Sequence, residues 1–356
     1  MNAPTVPTTA TLSRLLRVFA WLSPAVAILV ALMIGGLILT LSGHNALSAY
    51  HEMFVTAFWD TFGLSETLVR AVPLILCALA VALCLHASLW NIGAEGQMLM
   101  GCLTATWVAL AWPGLSSWLL LSAMLVAGFF GGALWAAVAG WLRSRLAVNE
   151  ILTTLLMNYV AIELIAYLVY GPWKDRAGGN FPNTPLFAEN AWLPFLSWGR
   201  LHAGCLIAPA MAVIVYIVLH YTTFGFELRV VGDNPKAAVY AGIPTAQVIL
   251  VTLILSGGLA GIAGFVEVAG IEHKLHHRMP KGYGYMAIII AWLAKKHPLW
   301  IMPVAIFMAG ITIGGEVLPI SHNIPRALVQ VLQGSLLLGL LLTDLLQAKL
   351  AIHLHS

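Results

Sequence analysis

The stretch ILTTLLMNYVAIELIAYLVY, residues 151–170, is apolar over the length that crosses a lipid bilayer. A helix of about 20 predominantly apolar residues spans the hydrocarbon core of a membrane. A second run of this kind, VFAWLSPAVAILVALMIGGLILTL, occupies residues 18–41. The whole chain agrees with these two runs, because 60% of it is hydrophobic and 9% is charged, whereas soluble domains carry about 25% charged residues. The sequence therefore predicts an all-α fold, a polytopic bundle of transmembrane helices.

Apolar runs along the chain predict about ten spans of this length. Two of them, 96–112 and 284–295, are short and are expected to be broken or re-entrant helices. The other helices are expected near residues 18–42, 67–89, 117–142, 150–171, 203–221, 246–271, 299–317 and 326–347. The polar stretches are too short to fold alone. Residues 1–356 are thus expected to form one transmembrane domain, with a loose tail at 1–13 and an external loop at 172–200.

The basic residues predict an orientation in the membrane. The apolar run at residues 18–41 is too long for the core of a signal peptide and is expected to be an uncleaved span. Ten crossings place both termini in the cytoplasm, and they put the pairs Arg143/Arg145 and Lys295/Lys296 in short cytoplasmic loops. Lys and Arg are enriched in such loops.

Composition also argues against several classes of function. The net charge of +3 gives no indication of a nucleic-acid partner. The four cysteines lie in apolar runs, so we interpret them as small buried hydrophobes and not as disulfides or zinc ligands. We expect no metal site, no bound cofactor and no catalytic residues, because no spacing typical of an intramembrane enzyme is present. Glu267, Glu272 and the nearby histidines 273, 276 and 277 are interpreted as a solvated external turn.

The stretch NIGAEGQ, residues 91–97, breaks a hydrophobic region with polar side chains and two glycines. Irregular backbone at membrane depth survives only when it is buried in protein or faces water, and broken helices frame substrate paths in transporters. We therefore expect Asn91, Glu95 and Gln97 to line a substrate pathway. The alternative is an ordinary cytoplasmic turn. Asn158, deep in an apolar run, either joins helices or lines the same path.

A similar pattern occurs in the second half of the chain. Residues 281–285 read KGYGY and precede the apolar run 286–293. The glycines allow the backbone to unwind before the helix starts. Tyr283 and Tyr285 are therefore further candidates for the pathway.

The segment FGFELRVVGDNPKAAVYAGIP, residues 224–244, is too polar to span and lies on the predicted cytoplasmic side. Asp233 or Asn234 can cap a short helix with Pro235 in its first turn, and Gly242 can stop it. In this helix Lys236 is expected to be exposed, with Ala238 and Tyr240 available for contact. Such a helix suits docking in a partner's groove. A plain connecting loop is the alternative.

Two glycine patterns have simple explanations. Glycines four residues apart, such as Gly128 with Gly132 and Gly257 with Gly261, predict close packing of helices. The stretch LSGG at residues 255–258 is similar to the signature of ABC ATPases, but it lies within an apolar run. Because the chain has no Gly-Lys pair, it contains no P-loop.

Several stretches, taken together, resemble the permeases of bacterial ABC importers for simple sugars, nucleosides and branched-chain amino acids. The nucleoside and sugar branch is the most similar. The matching stretches, in the family order, are NIGAEGQMLMG (91–101), NEILTTLLMNYVA (149–161), GPWKDRAGGNFPNTP (171–185), GDNPKAAVYAG (232–242), GGLAGIAG (257–264) and residues 282–298. The chain departs from the family at Trp292 and at residues 295–297, KKH, where smaller or less basic residues are usual.

The resemblance implies a subunit of the bacterial cytoplasmic (inner) membrane that forms the path for a small polar solute. It implies a second permease subunit, identical or different, two cytoplasmic ATPases that use ATP, and an external substrate-binding protein. By the same resemblance, residues 235–241 are expected to be the coupling helix. The rival interpretation is a self-sufficient secondary transporter, in which Glu95 or Glu267 carries a proton or binds sodium.

Overall fold

The computed structural model describes residues 29–335, except 31, 178, 180, 197, 280 and 333. Within this part the chain is helical, and its only β-type pairings are two isolated bridges in loops. The all-α prediction is therefore confirmed. The chain divides into two compact units, residues 61–310 and residues 1–60 with 311–356.

The unit formed by residues 1–60 and 311–356 contains α1 (Leu32–Leu41) and α2 (Ala46–Phe58). Asn45 caps α2 by accepting a hydrogen bond from the Ser48 N–H at 3.1 Å. Buried apolar side chains from these helices pack with side chains that follow residue 311, and the cluster comprises Leu39, Ala49, Met53, Leu318, Ile324, Val329 and Leu332.

The unit formed by residues 61–310 holds most of the helices. They are α3 (Thr61–His86), α4 (Ala94–Ala111), α5 (Ser117–Leu146), α6 (Glu150–Tyr170), α7 (Gly204–Tyr221), α8 (Thr223–Asp233), α9 (Pro235–Tyr240), α10 (Thr245–Glu267), α11 (Tyr283–Leu293) and the first half of α12 (Pro298–Ser321). A π-helical turn, Val268–Glu272, extends α10. A 3-10 turn, Glu189–Ala191, lies in the loop before α7.

Six helices are long and apolar enough to cross a membrane: α3, α5, α6, α7, α12, and α10 with its extension. α1 and α11 are apolar but shorter. The expectation of about ten spans is therefore not confirmed in the described chain. About half of each helix predicted at 18–42 and 326–347, and the whole tail at 1–13, lie outside the described residues. The sequence did not predict α2, because its residues are too polar for a span.

Glycines bring α4, α5 and α10 into backbone contact. A Cβ atom on Gly132 of α5 would lie 2.1 Å from the Gly257 carbonyl oxygen, and one on Gly261 would lie 2.1 Å from the Gly128 carbonyl oxygen. A Cβ atom on Gly101 of α4 would likewise lie 2.3 Å from the Gly261 carbonyl oxygen. The predicted glycine packing is confirmed, and it places α4 and α5 directly against α10.

The loop between α6 and α7 is held against the end of α10 by backbone hydrogen bonds. The N–H groups of Thr184, Phe187 and Leu193 donate to the carbonyls of Leu275, His273 and Ala269 at 2.8–2.9 Å. This loop thus covers the end of the bundle from which the chain runs into α11.

Candidate functional site

The turn between α3 and α4 folds back into the bundle and is fixed there by amide side chains. Asn91 and Gln97 form two reciprocal hydrogen bonds of 2.9 and 3.0 Å, and both side chains are buried. The Asn91 amide also donates to the Ser256 hydroxyl at 2.8 Å, and that hydroxyl donates to the Ala80 carbonyl at 2.7 Å. The polar break therefore joins α3, α4 and α10. Sequence reasoning missed Ser256, whose partners are distant in the chain.

Asn158 of α6 ties the same turn to two further helices. Its carbonyl oxygen accepts the Gly96 N–H at 2.9 Å, and its amide donates to the Ile92 carbonyl at 2.9 Å. The amide also lies 3.2 Å from the Tyr285 hydroxyl. Asn158 is fully buried, whereas Tyr285 is exposed. Asn158 was expected either to join helices or to line the path, and the structure shows the contacts that join helices.

The Glu95 carboxylate caps α11. Its two oxygens accept the N–H groups of Gly282 and Gly284 at 2.9 and 2.7 Å, and the side chain is fully buried. A negative charge is favourable at a helix N-terminus. A Cβ atom on Gly284 would lie 2.2 Å from the Glu95 backbone nitrogen, so only glycine permits this approach. Tyr283 is buried, and its hydroxyl has no hydrogen-bond partner among the described residues.

α11 has only 11 residues and cannot span the membrane alone. It begins inside the bundle, at the Glu95 carboxylate. At its other end, the Lys296 ammonium donates to the Leu85 carbonyl of α3 at 3.1 Å. α11 therefore fits the short, broken helix expected at 284–295.

A partly buried charge cluster precedes α11. Lys281 donates to the Glu267 carboxylate at 2.8 Å and also pairs with Glu272. Glu272 lies 3.1 Å from the His276 ring. Glu267 is fully buried, so its interpretation as part of a solvated turn is wrong. The sequence did not identify the contacts of Lys281 with Glu267 and Glu272, because they form only when the chain folds back on itself.

His202, just before α7, is a fully buried histidine that the sequence did not single out. Its Nδ1 accepts the Gly204 N–H at 3.1 Å, and its Nε2 has no partner among the described residues. Burial lowers the pKa of His202 to about 4, and the nearby charges of His273 and Arg200 act in the same direction. The ring is therefore neutral at physiological pH.

The segment predicted for coupling forms α8 and α9. Asn234 caps α9 by accepting the N–H groups of Lys236 and Ala237, each at 3.1 Å, and Pro235 stands in the first turn. Gly242 follows with a φ of +78°. The predicted short helix is confirmed, with Asn234 and not Asp233 as its cap.

α9 presents a different face from the one predicted. Ala238 is fully buried, so the expectation that it is available for contact is wrong. Its methyl group points back into the chain, as α9 packs on α8 and α10. Tyr240 is 91% exposed and Val239 is 62% exposed. Lys236 is exposed, as predicted, and Asp233 and Gly242 are exposed as well.

α8 is attached to the end of α3. The Ser88 hydroxyl donates to the Gly232 carbonyl at 2.8 Å, and a Cβ atom on Gly232 would lie 2.1 Å from the His86 carbonyl oxygen. At the same end, Arg143 of α5 pairs with Glu150 of α6 at 3.1 Å. One end of the bundle, here called the pole, therefore brings together the ends of α3, α5, α6, α8 and α11. It carries the basic residues Arg143, Arg229 and Lys296.

The departure from the family pattern at residues 292–297 has a structural role. The Trp292 ring stacks on Trp90, with ring centroids 5.7 Å apart. Lys296 has a left-handed φ of +62°, and its ammonium donates a hydrogen bond to the Leu85 carbonyl in the last turn of α3. These side chains therefore fasten the end of α11 to the turn that carries the polar break.

The LSGG stretch is part of a helix interface, as its apolar setting indicated. Ser256, Gly257 and Gly258 are buried in α10. Cys77, Cys84 and Cys102 are buried free thiols, and Cys205 is partly buried. The prediction for three of the four cysteines is thus confirmed.

A polytopic helix bundle with a half-length helix, a buried polar break and an exposed short helix at one pole defines a membrane transport subunit. Residues 63–341 match the family described as branched-chain amino acid transport system / permease component. This chain belongs to that family and is a permease subunit of an ABC transporter.

Characterised relatives cover nearly the whole chain. A glucose ABC transporter permease of Haloferax volcanii is 39% identical over 339 residues, covering 91% of this chain and 89% of the relative. A guanosine ABC transporter permease of Bacillus subtilis is 33% identical over 317 residues, covering 87% and 90%. A nucleoside ABC transporter permease of Lactococcus lactis is 28% identical, covering 89% of each chain. No solved structure matches.

Proposed function

We propose that this chain forms the translocation path of an ABC importer for a nucleoside or simple sugar. The observation that carries the proposal is the family match over residues 63–341, which contains both the polar break and the exposed α9. Two relatives at or above 33% identity carry glucose and guanosine in their names. ATP hydrolysis belongs to partner ATPases, because the chain has no P-loop.

The proposed assembly contains a second permease subunit, cytoplasmic ATPases and an external substrate-binding protein. We place the pole with Arg143, Arg229 and Lys296 in the cytoplasm, together with both termini, in the bacterial inner membrane. The clustering of basic residues at this pole supports that orientation. A single cysteine at Lys236 should then react with an impermeant thiol reagent only in inside-out vesicles. Reaction only in right-side-out vesicles would reverse the orientation.

Transport experiments decide the substrate. The chain should be purified with its ATPase and partner permease, reconstituted in liposomes, and supplied with its binding protein and a panel of labelled nucleosides, hexoses and amino acids. ATP-dependent uptake of a nucleoside or a hexose is expected. Accumulation by the chain alone, driven by a proton or sodium gradient, would instead support the secondary transporter.

α9 is proposed to be the ATPase docking element, since Tyr240 and Val239 are exposed while Asn234 and Pro235 fix the helix that carries them. Truncating a residue at the centre of an interface costs about 2 kcal/mol or more, which is roughly thirtyfold in affinity. Tyr240→Ala should therefore reduce ATPase retention and uptake together. Phe181→Ala, which removes an exposed ring from the loop before α7, is the matched control and should retain the ATPase. Full retention by Tyr240→Ala would refute the docking role.

The six predicted pathway residues, three in the polar break and three outside it, stay candidates for the pathway. In this structure Tyr285 is the member with substantial exposure, at 37%, while Asn91, Glu95, Gln97, Asn158 and Tyr283 are at most 4% exposed. Tyr285 is therefore the most accessible of the six to a solute, and the other five would need a rearrangement of the surrounding helices.

A further inference from the structure

α6 carries a carboxylate on its outer face. Glu163 lies 7 residues before the end of α6 at Tyr170, which places it about 10 Å from that end of the helix. Its side chain is exposed, and no hydrogen bond or ion pair to it exists among the described residues. A charge inside a membrane span almost always faces the protein interior or water, and marks a functional site.

The other carboxylates within the candidate spans differ from Glu163 in this respect. Glu267 pairs with Lys281, and Glu150 pairs with Arg143. Arg70 and Glu316 each have interactions of their own. A charged side chain at the centre of a span costs about 2.5–3.5 kcal/mol on insertion scales, and Glu163 lies about one helical turn from the centre of α6. Lipid is therefore a poor environment for this face of α6.

A dry contact with a second copy of the chain is also unfavourable. A two-fold contact through this face would place the same surface on both sides, and α6 contains no Lys, Arg or His to pair with a carboxylate. Where the two-fold axis passes close to Glu163, two desolvated carboxylates would face one another, and α6 offers no cation to either of them. Water is the remaining environment that suits Glu163.

Aromatic side chains flank the carboxylate on the same face. Tyr159 and Tyr167 lie one helical turn before and after Glu163, and they are 59% and 68% exposed. A carboxylate accepts hydrogen bonds from neighbouring hydroxyl groups, and aromatic rings stack on flat or apolar ligand faces. Glucose and guanosine, named in two relatives, share a sugar ring with vicinal hydroxyls.

We propose that the face of α6 formed by Tyr159, Glu163 and Tyr167 lines the water-filled path and binds the vicinal hydroxyls of a sugar ring. This inference rests on the proposed function and adds a contact site to it. The Glu163 carboxylate accepts hydrogen bonds from the hydroxyl groups, and the tyrosines orient the ring. The site is distinct from the buried polar break.

Thiol labelling tests the environment of the face. Glu163→Cys is placed in the complete transporter, with the four native cysteines replaced by alanine, and treated with a membrane-impermeant thiol reagent. We expect labelling that glucose or guanosine slows. Leu134→Cys, on an apolar and exposed face of α5, is the control and should stay unlabelled. An unlabelled Glu163→Cys thiol would overturn the proposal.

Solute discrimination tests the ligand contact. The ratio of guanosine uptake to 2′,3′-dideoxyguanosine uptake, or of glucose to 2-deoxyglucose, is compared in the wild type and in Glu163→Gln. Since the binding protein is the same in both, a change in the ratio belongs to the permease. We expect the preference for the hydroxylated solute to fall about tenfold, which corresponds to about 1.4 kcal/mol. Glu189→Gln, an exposed carboxylate in the loop before α7, should leave the ratio unchanged.

The two proposals fail in different ways. A wild-type complex that takes up no nucleoside and no hexose of the panel refutes the proposed substrate class, whatever the labelling shows. A complex that transports one of them, but keeps its wild-type ratio in Glu163→Gln, refutes the site alone.

Discussion

Replacing Glu95 by glutamine should loosen the start of α11. In the native chain two carboxylate oxygens accept the N–H groups of Gly282 and Gly284 at 2.9 and 2.7 Å. The substituted side chain retains one oxygen for one of these donors and presents an amide NH2 group to the other. Hydrogen bonds to charged groups contribute about 1.5–3 kcal/mol each, and a buried donor without a partner costs about 1–3 kcal/mol. Relief of the carboxylate's desolvation offsets part of this loss, and we expect a net destabilisation of about 2 kcal/mol.

The assay for Glu95→Gln is thermal unfolding of the purified transporter in detergent, followed by tryptophan fluorescence. The 13 tryptophans report unfolding of the bundle as a whole, including the Trp292–Trp90 stack at the opposite end of α11. Glu189→Gln makes the same chemical change at an exposed position and should leave the transition unchanged. A Glu95→Gln protein as stable as the wild type would show that the two N–H groups need no carboxylate, and the capping argument would fail.

Other predictions test the packing, the ion cluster and the buried histidine. Gly261→Ala should destabilise the assembled bundle, because its Cβ would lie 2.1 Å from a carbonyl oxygen of α5; Gly114→Ala, with open space around the site, should be tolerated in the same expression and melting assays. Lys281→Met should destabilise by about 3–5 kcal/mol by leaving a buried charge unpaired, and adding Glu267→Gln should restore part of this in a thermal melt. His202 has a pKa of about 4 when folded and about 6.5 when unfolded. Between these pH values the unfolded state therefore binds more protons than the folded state. The free energy of unfolding should fall by up to about 3 kcal/mol as the pH drops from about 6.5 to about 4. In His202→Phe this pH dependence should be weaker, and an unchanged slope would exclude His202 as its source.

The helices with strong apolar runs could be predicted from the sequence because their length and caps are local properties. The prediction 203–221 corresponds to α7 at Gly204–Tyr221, and 150–171 corresponds to α6 at Glu150–Tyr170. The cap at Asn234 followed by proline also located α9. α2 was missed because a helix of mixed polarity gives no spanning signal.

The contacts of the site could not be predicted, because they join residues that are distant in the chain. Glu95 and Gly282 are 187 positions apart, and Asn91 and Ser256 are 165 apart. The sequence showed that these polar groups need a partner, but not which one. Burial of Ala238 depends on the packing of α9 on its neighbours, which a segment of two turns does not encode.

The contacts of α11 connect the exposed pole to the polar break. Gly232, at the end of α8, rests on the His86 carbonyl at the end of α3. The His86 ring lies 3.2 Å from the Lys296 carbonyl, and Lys296 closes α11. α11 then reaches Glu95 through its first N–H groups. Each step in this series is a close backbone approach or a hydrogen bond. If α9 docks an ATPase as proposed, a displacement of α8 and α9 would therefore be transmitted to α11 and to the turn that carries Glu95.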